Sequence, residues 1–260
     1  MRHTSDNLWR DVLHARFRGQ PTPLLVMPDA LWTAASLWAG TRAWTKAFRE
    51  VGFVAGDVIG CDLPAGPAFV QILLACLWEG ITFAPECVGG DASTARRRTM
   101  SARISAAVPD QVTHQGLPLL VPDAAGQPPD RLPALMQRPT ATPGIALLAA
   151  DDDASAAVAF SAASLLEAAR VAATERRLDG ACVLSVLPWH RSGVLISDVL
   201  APLLTADDLV VAGDATLETA FRLSREHPVT HVSLDITTAD AWRANENGQA
   251  LLARLTVRIT

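Results

Sequence analysis

The chain has 260 residues, half of them hydrophobic and 19% charged, with a formal net charge of −5. That is enough apolar material to bury a core in one large domain or two small ones. The acidic balance and the scattered arginines give no sign of a nucleic-acid surface.

Basic residues cluster at Arg96, Arg97 and Arg98, which read as a solvated helix face; Lys46 is the single lysine, and there is no tyrosine. Cys61, Cys76, Cys87 and Cys182 lack C-x-x-C spacing, so buried free thiols in a reducing compartment are expected rather than disulfides or metal ligands. The start, M-R-H-T-S-D-N-L-W-R, is polar and charged, and no apolar run approaches the roughly 20 residues that span a bilayer. A cytoplasmic protein is the expectation.

In chain order, Ala34, Leu37, Thr41, Trp44 and Phe48 recur at spacings of three and four, one face of a helix that stops at Gly52. Asp57–Leu63 reads as a buried strand, broken by Pro64-Ala65-Gly66-Pro67. A helix from Ala68 to Glu79, with Phe69, Ile72, Leu73, Cys76 and Leu77 inward, ends at Gly80, and Ile81–Ala84 is the next strand. Strand, helix, strand at this spacing predicts a βαβ unit and a parallel sheet.

A polar helix is expected after Asp91, with short strands near Val112 and at Leu119–Val121. Residues 122–143 hold Pro122, Pro128, Pro129, Pro133, Pro139 and Pro143 and read as a linker. This divides the chain into a first α/β subdomain (1–121), a linker (122–143) and a second α/β subdomain (144–260). Beyond it come the strand Ile145–Ala150 and a helix opened at Ser164 by a Ser164/Glu167 capping box. Alternation continues through strand Ala181–Val186, helix Leu195–Leu204, strand Leu209–Ala212, helix Leu217–Arg225, strand Val229–Leu234, a helix ending near Leu255, and a last strand at Thr256–Ile259. The period of alternation says α/β, with parallel sheets and flanking helices.

Three blocks carry a resemblance. Gly52–Pro85 reads G-F-V-A-G-D-V-I-G-C-D-L-P-A-G-P-A-F-V-Q-I-L-L-A-C-L-W-E-G-I-T-F-A-P. It resembles the G-V-x-x-G-D-x-V-A-x-x-L-P-N-x-x-x-F-V pattern of the adenylate-forming superfamily, which holds the acyl- and aryl-CoA ligases, the luciferases and the adenylation domains of peptide synthetases. Val183–Leu204 contains L-P-W-H-R-S-G-V, similar to that family's L-P-x-F-H-x-x-G-L with one residue fewer between Pro and His. His227–Leu234 resembles its V-T-x-x-x-x-V-P-T strand, with Asp235-Ile236-Thr237 in place of V-P-T. The blocks follow the family's order and cover the front part of its N-terminal domain. The chain ends before the family's magnesium, ribose and hinge motifs, and is expected to be truncated relative to it.

The resemblance implies an acyl pocket beside Trp189, His190 and Gly193. Trp189 reads more readily as packing than as a substrate contact, and a loop histidine without a ligand is the competing reading for His190.

The resemblance also implies a phosphate loop of the form T-S-G-T-T-G-x-P-K-G-V at Leu148–Val158. The chain there reads L-A-A-D-D-D-A-S-A-A-V, with no Gly and no Lys, and with Asp151, Asp152 and Asp153 in a row. A phosphate loop needs backbone N–H groups that can approach closely, small hydroxyls and a cation; here Ser155 is the one hydroxyl. Three consecutive carboxylates also lack the spacing of a calcium or magnesium loop, so a solvated acidic turn is expected. His190, Ser192 and Asp198 lie close in sequence, but no G-x-S-x-G elbow accompanies them.

No catalytic residue, cofactor or metal is therefore expected. The leading expectation is a catalytically inactive adenylate-forming-like protein, a pseudoenzyme serving as a binding or scaffold subunit in acyl/aryl, fatty-acid or polyketide metabolism. One alternative is an acyl/aryl-CoA or acyl-carrier-protein ligase component active only with a complementing chain. Another is a binder of small apolar carboxylic acids. A homodimer or a protein partner, such as an acyl-chain biosynthetic enzyme, is expected through the surface around Leu234–Thr260, with no nucleic acid and no membrane span.

Overall fold

The computed structural model describes residues 8–17, 23–86, 100–106, 119–132, 144–150, 157–213 and 216–260. The polar helix after Asp91, the strand near Val112, the basic cluster 96–98 and the acidic run 151–153 lie outside the described residues.

Two mixed, largely parallel six-stranded sheets organise the chain. The first has the order β12-β11-β9-β10-β1-β2, from β1 (Pro23–Met27), β2 (Ala30–Thr33), β9 (Cys182–Ser185), β10 (Asp208–Val211), β11 (His231–Leu234) and β12 (Thr256–Ile259). The second has the order β6-β5-β3-β4-β7-β8, from β3 (Val58–Cys61), β4 (Thr82–Pro85), β5 (Ala102–Ile104), β6 (Leu119–Leu120), β7 (Ile145–Ala150) and β8 (Ala157–Ser161). Among the described residues only the hairpin partners β1–β2 and β7–β8 run antiparallel. Each sheet takes strands from both sides of the proline-rich segment: β1 and β2 join the later strands, and β7 and β8 join the earlier ones.

Helix α2 (Ala34–Val51) begins because the Thr33 side chain accepts from the Ser36 N–H, and it ends at Gly52, whose φ of 91° is left-handed. Its inward face holds Leu37, Thr41, Trp44 and Phe48, all buried, as the spacing predicts. The following Gly56-Asp57 turn has a physical cause. Gly56 sits at φ 93°, which favours a residue without Cβ. The buried Asp57 carboxylate accepts from the Val54 N–H at 2.8 Å and from the Ser101 hydroxyl at 3.0 Å. The turn is thereby tied to the start of β5.

Helix α3 (Pro67–Glu79) opens with Pro67 in its first turn and buries every residue from Phe69 to Leu77. A helix apolar all round must be covered all round. Phe69 meets Phe83 of β4 edge-on at 5.2 Å on one side and Trp189, beyond β9, at 5.4 Å on the other. Helix α4 (Ala162–Arg176) likewise packs on β7 and β8 and on the helix that follows β9. One continuous core joins both sheets, and each fully buried Leu or Phe in it contributes roughly 1.5–3 kcal/mol. Burial pushes the Cys61 and Cys76 thiols up, and takes Cys182 to about 12, so these buried cysteines are inert.

Several elements differ from the sequence reading. Helix α1 (Leu8–Phe17) and strands β1, β2, β5 and β8 add to it. Helix α4 starts two residues before Ser164, because the Ser161 side chain at the end of β8 accepts from the Ser164 N–H; the cap is Ser161, not the Ser164/Glu167 pair. The helix after β9 is longer than expected. It runs from Ser192–Val194 through a π-helical stretch at Leu195–Leu200 into Ala201–Thr205, and is called α5 throughout. The final helical region is two helices, α7 (Ile236–Arg243) and α8 (Glu246–Leu252), after α6 (Leu217–Glu226). Residues 122–132 are irregular, held by a turn in which the Asp123 side chain accepts from Ala125 and Gln127 N–H groups.

Where α2 crosses α3, a Cβ at Gly40 would overlap the Gln71 side-chain amide. Gln71 is fully buried, and both its amide atoms lack a partner among the described residues. We therefore expect Gly40→Ala to cost about 1–3 kcal/mol through overpacking. In a Gln71→Ala background the penalty should fall by at least about 0.5 kcal/mol. Urea denaturation of the four proteins of this cycle measures the coupling, and additive effects would show that the two side-chain positions do not compete.

Candidate functional site

In the first sheet β9 lies between β10 and β11. The chain leaves β9 toward β10, and leaves β11 toward β12 on the opposite side. Neighbouring parallel strands whose connections diverge open a crevice at their carboxyl ends. Two segments border that crevice: 186–193 after β9, and 235–237 after β11. The first holds the three residues singled out in the sequence, and the second holds the Asp-Ile-Thr that replaces V-P-T.

Trp189 is the floor of the first segment. It is buried, donates its indole N–H to Ser185 Oγ at 2.8 Å, and packs on Phe69. Its role is packing and anchoring, which pins the loop to β9. His190 beside it is half-buried. Gly193 is exposed, and a Cβ there would meet open space; no steric requirement for glycine exists at that position.

On the second segment Asp235 caps α7, accepting from the Thr238 N–H at 2.7 Å. That backbone donor, with help from Arg191 across the crevice, holds its carboxyl below the usual range. Ile236 next to it is 64% exposed, a large apolar side chain presented at the crevice. The mouth thus combines a half-buried imidazole, an Arg191–Asp235 attraction and an exposed aliphatic group.

Asp198 does not serve His190. It is fully buried on the π-helical stretch of α5, and its Oδ1 accepts from Arg176 Nη1 at 2.5 Å, Ser233 Oγ at 2.7 Å and Ser197 Oγ at 3.2 Å. The Ser192–His190–Asp198 proximity in sequence is not a relay. The π-helical stretch widens the turn, a feature that recurs where a helix must re-aim a side chain. Here it sends a carboxylate inward to join α4, α5 and β11. Sequence spacing could not reveal this, because the partners are separated by 22 and 35 residues. The Arg176 charge and burial also lower the pKa of nearby His231, burial being the larger cause.

A parallel cluster closes the second sheet. Asp62, Glu86 and Ser105 follow β3, β4 and β5, and Arg103 of β5 lies 2.9 Å from Asp62 and 3.0 Å from Glu86, all buried. Among the described residues no group of three or more His, Cys, Asp or Glu could hold a metal ion. No described helix is long and apolar enough to cross a membrane.

Two outcomes follow. Asp198→Ala should cost about 3–5 kcal/mol, because it strands a buried guanidinium, whereas Arg176→Met with Asp198→Leu should recover most of that loss; chemical denaturation compares them. Asp235→Ala should cost about 1 kcal/mol at neutral pH through the lost cap. Because the folded carboxyl titrates below its ordinary 3.8, its stabilisation is complete above that value and is lost as pH falls through the lowered one. The gap between variant and wild type in pH-dependent melting should therefore close in acid.

No family model and no curated protein matches this sequence. Solved structures do match its fold. NpsA of Klebsiella oxytoca, in complex with 3-hydroxyanthranilyl-AMSN, is 15% identical over 96% of this chain and 52% of its own, with a TM-score of 0.74. MenE, the O-succinylbenzoate coenzyme A synthetase of Bacillus subtilis, is 14% identical over 90% of this chain and 53% of its own, at 0.72. CmiS6 is 17% identical over 99% and 66%, at 0.79. The chain thus has the fold of the N-terminal part of the adenylate-forming enzymes, and it spans about half the length of NpsA and MenE.

Proposed function

We propose that this chain is a catalytically inactive adenylate-forming-like protein that works as a binding or scaffold subunit in acyl/aryl, fatty-acid or polyketide metabolism. One observation carries the reading. By the sequence resemblance the family's phosphate loop falls between β7 and β8, and the sequence there reads D-D-D-A-S-A. Adenylation needs a triphosphate held and charge-compensated while a carboxylate attacks the α-phosphorus. Each carboxylate brought within about 4 Å of a phosphate charge would instead oppose binding by ~1 kcal/mol in water and ~4 kcal/mol at a partly buried position. No Lys or Gly in Leu148–Val158 offsets this. The lost loop belongs to the half of the family's architecture that this chain resembles, so a complementing chain would not replace it.

The crevice at β9 and β11 supports a second reading, as the place where a small apolar carboxylic acid binds. Exposed Ile236 offers apolar contact, and half-buried His190 with Arg191 offers a polar end. Protein association fits the same scaffold role. Strand β12 pairs only with β11 among the described residues, and Ile259 on it is 42% exposed. A free strand edge with an apolar side chain is a template for another chain, either a second copy or a partner enzyme. Inert buried thiols agree with a reducing, cytoplasmic setting.

The decisive experiment is titration calorimetry with ATP, alongside carboxylate-dependent pyrophosphate exchange and saturation-transfer NMR with a panel of aryl and medium-chain acids. We expect no micromolar ATP affinity and no exchange. Acid signals, where present, should weaken in His190→Ala. Micromolar ATP binding would overturn the proposal, and acid signals unchanged by His190→Ala would remove the crevice as their site.

A further inference from the structure

Helices α1, α2 and α3 line an open groove of about 880 Å³ that shares no residue with the crevice, and basic side chains outnumber acidic ones along it in this acidic chain. Its floor is aromatic. Trp38 stacks on Phe17 at 5.9 Å and meets Trp78 edge-on at 5.0 Å. The Arg10 guanidinium lies 5.7 Å from the Trp78 ring centroid, and both tryptophans stay partly exposed. The walls are cationic. Arg42, Lys46 and Arg49 stand on one face of α2, at spacings of four and three, and His14 of α1 faces them. Glu50 and Glu79 answer two of these charges, at 3.6 Å from Lys46 and 2.7 Å from Arg49. Arg42 has no carboxylate partner among the described residues.

We propose that this groove docks an acidic amphipathic helix of a partner protein. The three cations span about 10 Å along α2, at 1.5 Å per residue. Carboxylates at i, i+4 and i+7 of a helix laid alongside repeat at that interval, while an apolar residue on the same face reaches the Trp38–Trp78 floor. The groove is roofless, whereas small-molecule sites enclose most of their ligand. The chain as a whole carries a net charge of −5, so an acidic partner is repelled elsewhere and oriented onto this face. This inference is independent of the ATP and acid readings above. It uses a different surface from β12.

The test is fluorescence anisotropy with the full chain and a labelled peptide of about 18 residues, long enough to hold a helix, carrying Glu at i, i+4 and i+7 and Leu at i+3. The controls are the same peptide with Gln for Glu, and inorganic phosphate and ATP as competitors. Binding should weaken at least about 10-fold with the Gln peptide and with Arg42→Glu/Lys46→Glu, and should fall as salt rises. Should that variant lose its native circular dichroism, Arg42→Gln/Lys46→Gln takes its place, with at least about 3-fold weakening expected. No binding by the acidic peptide, equal binding by the Gln peptide or by the charge variants, or full displacement by millimolar phosphate or ATP, would each overturn the proposal; the last would mark the groove as a small-anion site.

Discussion

Everything in this architecture depends on covering α3. From Phe69 to Leu77 the helix has no solvent face, so a single sheet cannot satisfy it. One sheet supplies Phe83 and the other supplies Trp189, with Phe69 between the two rings. The indole N–H of Trp189 would be costly to leave unpaired at that depth, and Ser185 at the end of β9 accepts it. A loop residue is thereby fixed by the same contact that closes the core. The crevice beside it is bordered by a loop held in place through core packing.

The same demand explains why the strands are shared out as they are. A parallel strand needs a long crossover, and the helices of those crossovers need apolar cover on both sides. Placing α3 between Phe83 of the second sheet and Trp189 beyond β9 of the first meets that need for α3. Bringing β1 and β2 to the later sheet, and β7 and β8 to the earlier one, ties the two ends of the described chain into one core. The acidic stretch after β7 sits in the sequence between two strands that pair over Ile145–Ala150 and Ala157–Ser161.

This also decides what could be read from sequence. Helices α2 and α3 were legible because their apolar spacing and bounding glycines are local signals, and β12 matches its expected bounds. The short β1, β2 and β8 are not, because four or five residues carry little periodic signal, whether inside a sheet, as β1 is, or at its edge, as β2 and β8 are. The start of α4 moved because two serines three residues apart can each cap, and the end of β8 selects Ser161. Trp189, His190 and Gly193 stand out by motif, and the structure buries Trp189 against Phe69. Asp235 and Ile236 were noticed only as a departure from V-P-T; their place opposite His190's segment follows from strand order, which spacing does not encode. The basic groove was invisible as a cluster because its cations are spread at helical intervals and across two helices.

Buried charge is distributed with a common logic at the carboxyl ends of both sheets. Asp62, Glu86 and Arg103 join three adjacent strands, and Asp198, Arg176 and Ser233 join two helices to a strand. Taking such groups out of water costs several kcal/mol per ion, so they add little net stability. What they add is selectivity: a strand shifted by one residue would bury the same charges without their partners. Parallel strands are prone to such slips where apolar residues run continuously, as they do in β4 and β9, every residue of which is buried. These carboxylates are thereby committed to register, and Asp235 is committed to its helix cap. At the crevice His190 and Arg191 lie beside the exposed Ile236, and Arg191 also attracts the Asp235 carboxylate. The placement of Asp198 and Asp235 is thereby explained by packing and capping alone.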